Sequence, residues 1–224
     1  MHAEADSGIA NSFTDLMTSL AVIFILLLCA FMNNAFEEGQ STRSKILEKL
    51  QIQLKDFVVK GVKIESDPND PLALLILVPE GLLEFKVNRA EIPPPGIDFL
   101  SSFIPKLTDT IYNKEFRNDI SSVVVEGHTD SSGSDTMNLE LSQRRSMSVV
   151  SKCIDILVPN GSSADNGDNK RDYFLRVLSA SGRGKQDLIV VDGSEDHQQS
   201  RRVVFKIRVR SFEERKLEKR LSNA

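Results

Sequence analysis

"GHTDSSGSDTMNLELSQRRS", residues 127–146, places Asp130 and Arg145 fifteen positions apart around a polar, glycine-containing loop. "SSVVVEG" (121–127) just upstream is β-branched and reads as a strand. Downstream, Met137 to about Val158 reads as a helix, with Leu141, Met147, Val150, Ile154 and Leu157 as its apolar face. A strand, a Gly/Ser turn and a helix bring both charges to one end of the unit. An ammonium and a carboxylate on one ligand would need such a pair: Asp130 accepting from the ammonium, Arg145 gripping the carboxylate with two parallel N–H bonds. Taken alone, an Asp/Arg pair is more often a structural salt bridge. Helical neighbours point about 100° apart, so only one of Arg144 and Arg145 faces such a site, and Arg144 is the weaker candidate.

Working outward, "LALLILVP" (72–79) and "LLEFKV" (82–87) read as strands around "EG", and "AEIPPPGID" (90–98) as a stiff loop. Asp98 is placed to cap a helix running to about Tyr112, with Pro105 a point of kinking. "YFLRVLSAS" (173–181) and "RRVVFKIRVR" (201–210) read as further strands, and residues 159–172 as an exposed loop. Strands alternating with helices predict an α/β domain, a mixed sheet with helices packed on one face, over residues 71–210, followed by a charged tail over 211–224. Upstream, residues 35–70 read as a linker carrying an amphipathic helix. Leu47, Leu50, Leu54 and Phe57 follow 3-4-3 spacing, either a seam for a twin helix in a homodimer or a stripe lying on the chain's own domain.

The chain begins with an acidic lead, residues 1–12, and then "FTDLMTSLAVIFILLLCAFM", Phe13 to Met32, in an apolar segment taken to 34. About 20 residues at a rise of about 1.5 Å span a hydrocarbon core of roughly 30 Å once. The lead lacks the basic start of a cleaved signal, and Leu28 stands before Cys29 where a lipidation signal has a small residue. A retained transmembrane helix is expected. Asp15 is its one charged residue. An ionised carboxylate costs roughly 2.5–3.5 kcal/mol at the centre of a bilayer and less toward an end, so Asp15 is either a helix cap at the headgroups or a working group. No Lys or Arg precedes the segment, and charge bias alone weakly favours an external N-terminus.

The 224 residues carry 28 basic and 32 acidic side chains, a net charge of −4, with no Trp. A nucleic-acid partner held by phosphate neutralisation or base stacking is not expected. Cys29 and Cys153 and three scattered histidines form no ligand spacing, so neither metal nor other cofactor is expected. No nucleophile sits beside a base, and the chain does not read as an enzyme.

"GHTD", ten residues, "LS", two residues, Arg145, Ser146, two residues and Val149 resemble the peptidoglycan-binding signature of the OmpA C-terminal family, shared with MotB and Pal proteins; Asn138, "GRG" (182–184) and "SRRVVFKI" (from Ser200) extend the likeness. Ser146, Ser200 and Cys153 stand where the family usually has Ala, Asn and Leu. The resemblance implies a site for the zwitterionic end of diaminopimelate, with Asp130 and Arg145 as ligand pair, Thr129 and Asn138 in the signature, and Arg201 and Arg202 at the rim or bracing the strand. "FTDLMTSLAVIFILLL" resembles the ion-carrying helix of MotB-type stator subunits, which implies ion passage through Asp15, most simply of protons. It also implies a homodimer, a polytopic MotA-like or ZorA-like partner, an inner-membrane location, a cytoplasmic N-terminus and a periplasmic domain gripping peptidoglycan. The short linker and "DLMT" are most similar to ZorB-type subunits of Zorya anti-phage systems. A flagellar MotB-type stator and a passive OmpA- or Pal-like anchor are the alternatives.

Overall fold

The first proline of the chain is Pro68, and nothing upstream forbids a continuous helix. In the computed structural model, which describes residues 2–157 and 170–221, α1 runs unbroken from His2 to Gln53. Its stretch Thr14–Met32 is long and apolar enough to cross a membrane, and none of that window is buried inside the protein. The elements that follow are α2 (Lys55–Val58), β1 (Lys63–Ser66), β2 (Ala73–Pro79), α3 (Glu80–Leu83), α4 (Pro94–Ile111), β3 (Ile120–His128), α5 (Asp135–Leu157), α6 (Lys170–Val177), β4 (Leu178–Gly184), β5 (Val190–Val191), β6 (Ser194–Glu195), α7 (His197–Ser200), β7 (Arg202–Val209) and α8 (Phe212–Leu221).

The main sheet has the order β1-β2-β7-β3-β4. Only β3 and β4 are parallel; the other neighbours are antiparallel. This is the mixed α/β architecture expected. Alternation decides the faces: Val203, Phe205, Ile207 and Val209 of β7 and Leu74, Ile76 and Val78 of β2 point into one core with Leu100, Phe103 and Leu107 of α4 and Val149, Val150 and Cys153 of α5. Burial pushes the Cys153 thiol up to about 12.

The core also takes Ile46 and Leu50 of α1, then Leu54 and Phe57. Phe57 meets Phe99 and Phe103 edge-on at 5.7 and 5.3 Å. Of the two readings of the 47–57 stripe, the protein therefore has the second: the seam lies on its own domain. The boundary expected at 71 moves upstream accordingly, because β1 also joins the sheet through Lys63↔Leu77 to Ser66↔Leu74.

Other sequence expectations need correction. "LLEFKV" is not a strand: β2 ends at Pro79, α3 follows, and Glu84 turns the chain in the left-handed region (φ 51°). "YFLRVLSAS" divides at Leu178, its first half being helical. Tyr173 and Phe174 are adjacent and both buried, which a strand with one buried face does not allow. The helix expected from Asp98 begins at Pro94 behind Pro93, since prolines suit a first turn whose N–H groups have no partner anyway, and it continues through Pro105. On α5, Met147 is exposed, and the buried face starts with Asn138, Ser142, Arg145 and Ser146. Of the loop expected over 159–172, residues 159–169 lie outside the described residues and 170–172 form the first turn of α6 instead; the expected tail is largely α8.

Candidate functional site

Two glycines set the end of the sheet against α5. A Cβ on Gly127 would meet the Ser142 carbonyl oxygen at 2.3 Å, and one on Gly182 would meet the Gln143 nitrogen at 2.6 Å. With nothing but hydrogen at those positions, α5 presses directly on β3 and β4. Ser142 Oγ accepts from the Gly184 N–H at 2.9 Å, and Gln143 Oε1 accepts from the Gly182 N–H at 2.6 Å. The polar face of α5 is thus buried because it closes the backbone of the neighbouring strands, and this seating delivers Arg145 to the sheet's end.

Arg145 is 5% exposed. Its Nε donates to the Arg89 carbonyl (3.1 Å), Nη2 to the Lys86 carbonyl (3.3 Å), and Nη1 pairs with Glu80 Oε1 at 2.7 Å. The guanidinium carbon stands 4.9 Å from the Phe85 ring centroid. Burial pulls this guanidinium below its ordinary range, with Glu80 working against the shift; an arginine still stays charged. Glu80 Oε2 accepts from Arg201 Nε at 2.5 Å, and Arg201 Nη1 donates to Asp130 Oδ2 at 2.8 Å. The result is an alternating row, Asp130–Arg201–Glu80–Arg145. The aspartate and arginine singled out in the sequence share one network, but Arg201 and Glu80 stand between them.

Asp130 Oδ1 also accepts from the Ser132 N–H at 3.1 Å. Burial alone would raise this carboxyl's pKa; the hydrogen bonds from Arg201 and Ser132 outweigh it and hold the group below its ordinary value. The hydrogen bond to Asp130 raises that of Arg201. The loop is braced from two sides. Asn138 Nδ2 donates to the Ser132 carbonyl at 2.7 Å, and Glu195 Oε1 accepts from the Ser131 N–H at 3.0 Å while its Oε2 takes the Ser131 hydroxyl. Exposed His197 places Nδ1 3.6 Å from Asp130 Oδ2 and 3.4 Å from Glu195 Oε1.

Asp130, Arg145 and Arg201 therefore belong to one array, and Asn138 shapes the loop beside it. Thr129 is buried at 3%, its hydroxyl without a partner among the described residues, and it does not enter the array. Arg202 lies on the opposite face of the sheet, as alternation after Arg201 requires. There it donates to the Ser200 and Asp187 carbonyls at 3.1 and 2.8 Å, bracing the loop rather than lining the site. Asp15 is exposed on α1, remote in sequence from the array, and its backbone carbonyl accepts from the Thr18 hydroxyl at 2.9 Å. Sequence reading missed Glu80, Glu195 and His197. Glu80 had one available signal: an acidic residue straight after a strand, opposite an Arg-Arg pair.

A buried carboxylate outside the array, Asp67, pairs with Lys206 at 2.6 Å. Burial opposes its ionisation, but the Lys206 and Asn69 hydrogen bonds prevail and its pKa is lowered. A carboxyl whose folded pKa lies below its unfolded value of about 3.9 stabilises fully above that value and loses the contribution as pH falls through the folded one. Urea titrations should accordingly show Asp67→Asn lowering the midpoint at pH 7, with the gap to the unmodified protein closing below about pH 4.

The sequence matches the OmpA family over residues 85–202. It is 26% identical over 166 residues to the Zorya protein ZorB of Escherichia coli O139:H28; that match takes in 70% of this chain and 65%, just under two thirds, of the relative. It is 24% identical over 213 residues to a second ZorB, from Escherichia coli strain Crooks, covering 88% of this chain and 86% of that protein. Among solved structures, a MotB-like protein from Desulfovibrio vulgaris superposes with a TM-score of 0.54 at 18% identity, over 79% of this chain and 96% of that one, a likeness of fold.

Proposed function

The chain belongs to the OmpA family, and from that premise we propose that it is the peptidoglycan-anchored, proton-conducting B subunit of a MotA/MotB-type inner-membrane motor, working as a ZorB in anti-phage defence. One observation carries this reading: a membrane-length stretch of α1 whose single charge is Asp15 leads into a domain that holds a paired carboxylate and guanidinium array. The array suits a zwitterion. Asp130 takes the ammonium of diaminopimelate, and the Arg145/Arg201 pair takes its carboxylate in charge-assisted bonds. Glu80 supports this, since its carboxylate between the two guanidinium groups resembles the one the ligand would bring.

A wall-bound domain places the C-terminal part in the periplasm and the N-terminus in the cytoplasm, against the weak charge bias, which long translocated domains override in any case. A single helix cannot enclose an ion path, so a polytopic MotA- or ZorA-like chain supplies the rest, wrapped around a homodimer. Because residues 47–57 are packed on the chain's own domain, that dimer contact lies elsewhere.

The two ZorB relatives favour defence over swimming. Deleting the gene is expected to abolish phage resistance and leave swimming speed unchanged; loss of swimming with intact resistance would make it a flagellar stator. A passive anchor would instead lose envelope integrity when Asp130 is changed and tolerate any change at Asp15.

A further inference from the structure

α8 has two opposed faces. Glu214, Arg215 and Glu218 turn toward the domain, where Glu214 pairs with Arg208 (3.0 Å), Arg215 with Asp119 (3.3 Å) and Glu218 with Arg210. About 150° around the helix at 100° per residue, Glu213, Lys216, Leu217 and Arg220 line a cavity of about 300 Å³ whose remaining wall is Phe31. Phe31 belongs to the last turn of the apolar stretch Thr14–Met32. A bilayer crossed by that stretch has its headgroups at this level, so the outer face of α8 meets them. Among the described residues neither Lys216 nor Arg220 has an ionic partner. Leu217 and Leu221, one turn apart, are 57% and 77% exposed.

We infer that α8 is an interfacial foot: Lys216 and Arg220 bind the phosphates of anionic phospholipids while Leu217 enters the acyl boundary. Cations beside apolar residues on a short helix are the chemistry that recognises an anionic lipid surface. The occupant is the bilayer around α1 itself, because Phe31 connects the face to the span. The assignment depends on α1 crossing the membrane and is independent of wall binding.

The full chain in nanodiscs tests it. Hydrogen–deuterium exchange of residues 213–221 should slow on the order of tenfold or more in discs of phosphatidylcholine with phosphatidylglycerol, relative to phosphatidylcholine alone. The double variant Lys216→Glu/Arg220→Glu should lose that slowing while β3 and α5 keep their protection. Should the reversal disturb the domain, Lys216→Gln/Arg220→Gln gives the same reading without repulsion. Equal exchange in both disc types overturns the inference, as does unaltered slowing in the variants. Slowing that follows protein copies per disc, rather than lipid charge, assigns the face to a second chain instead. Incorporation into discs reports α1 separately, so failure of the foot and failure of the membrane reading are distinguishable.

Discussion

Asp130→Asn is expected to eliminate retention of the detergent-solubilised protein on purified sacculi. Asparagine keeps the size of the side chain, and Arg201 keeps its bond to Glu80, so the domain should stay folded, with a lowered melting point for the lost Asp130–Arg201 ion pair. What disappears is the anion that, in the proposed site, would face the ligand's ammonium. Removing one partner of a hydrogen-bonded charge pair that ligand binding desolvates costs about 2–5 kcal/mol, or roughly thirtyfold to several thousandfold in affinity. Arg145→Lys makes a companion test: one ammonium cannot serve the Lys86 and Arg89 carbonyls and Glu80 together, so affinity should fall with charge conserved. Undiminished retention by both variants would reduce the array to a structural ion network.

Asp15→Asn should abolish phage protection while the protein still accumulates in the membrane and co-purifies with its polytopic partner. Asparagine is nearly isosteric with a protonated aspartic acid, which is why assembly should survive. It cannot release a proton, so under the proposed mechanism no charge would alternate within the helix and no partner helix would be driven. Scored as survival under phage challenge, the expected outcome equals that of the gene deletion. Full protection by the Asn variant would mean that Asp15 only caps the helix at the headgroups. The same variant should leave sacculus retention untouched, which separates it from the Asp130 result.

The parts of the fold that could be read in the sequence are those where one pattern has one physical solution. The β-branched run at 121–127 became β3, and the apolar run from Phe13, helical whichever of its roles is taken, became part of α1 with Thr14–Met32 exposed. "LLEFKV" and "YFLRVLSAS" failed because short apolar runs satisfy strands and helix edges equally, and only tertiary partners choose. The helix expected from Met137 was correct in kind and largely in face: Val150, Ile154 and Leu157 pack on the core, and Met147 does not. Its buried side begins with Asn138, Ser142 and Arg145, whose reason for burial is a strand backbone approached through Gly127 and Gly182. That reason lies in residues some ten to forty positions away. The array follows the same logic. Asp130 and Arg145 lie within one strand–loop–helix unit and were visible together. Glu80 and Arg201 reach them across the β2–β7 pairing, whose register joins Pro79 to Arg202.

The unbroken course of α1 also has a mechanical consequence. Fifty-two residues at about 1.5 Å each make a shaft of roughly 78 Å, and its final turns are sunk in the domain core through Ile46 and Leu50. The helix does not break between the apolar stretch and the folded head. A twist applied at one end must arrive at the other with almost no slack, so the head and the shaft turn, or resist turning, as one piece.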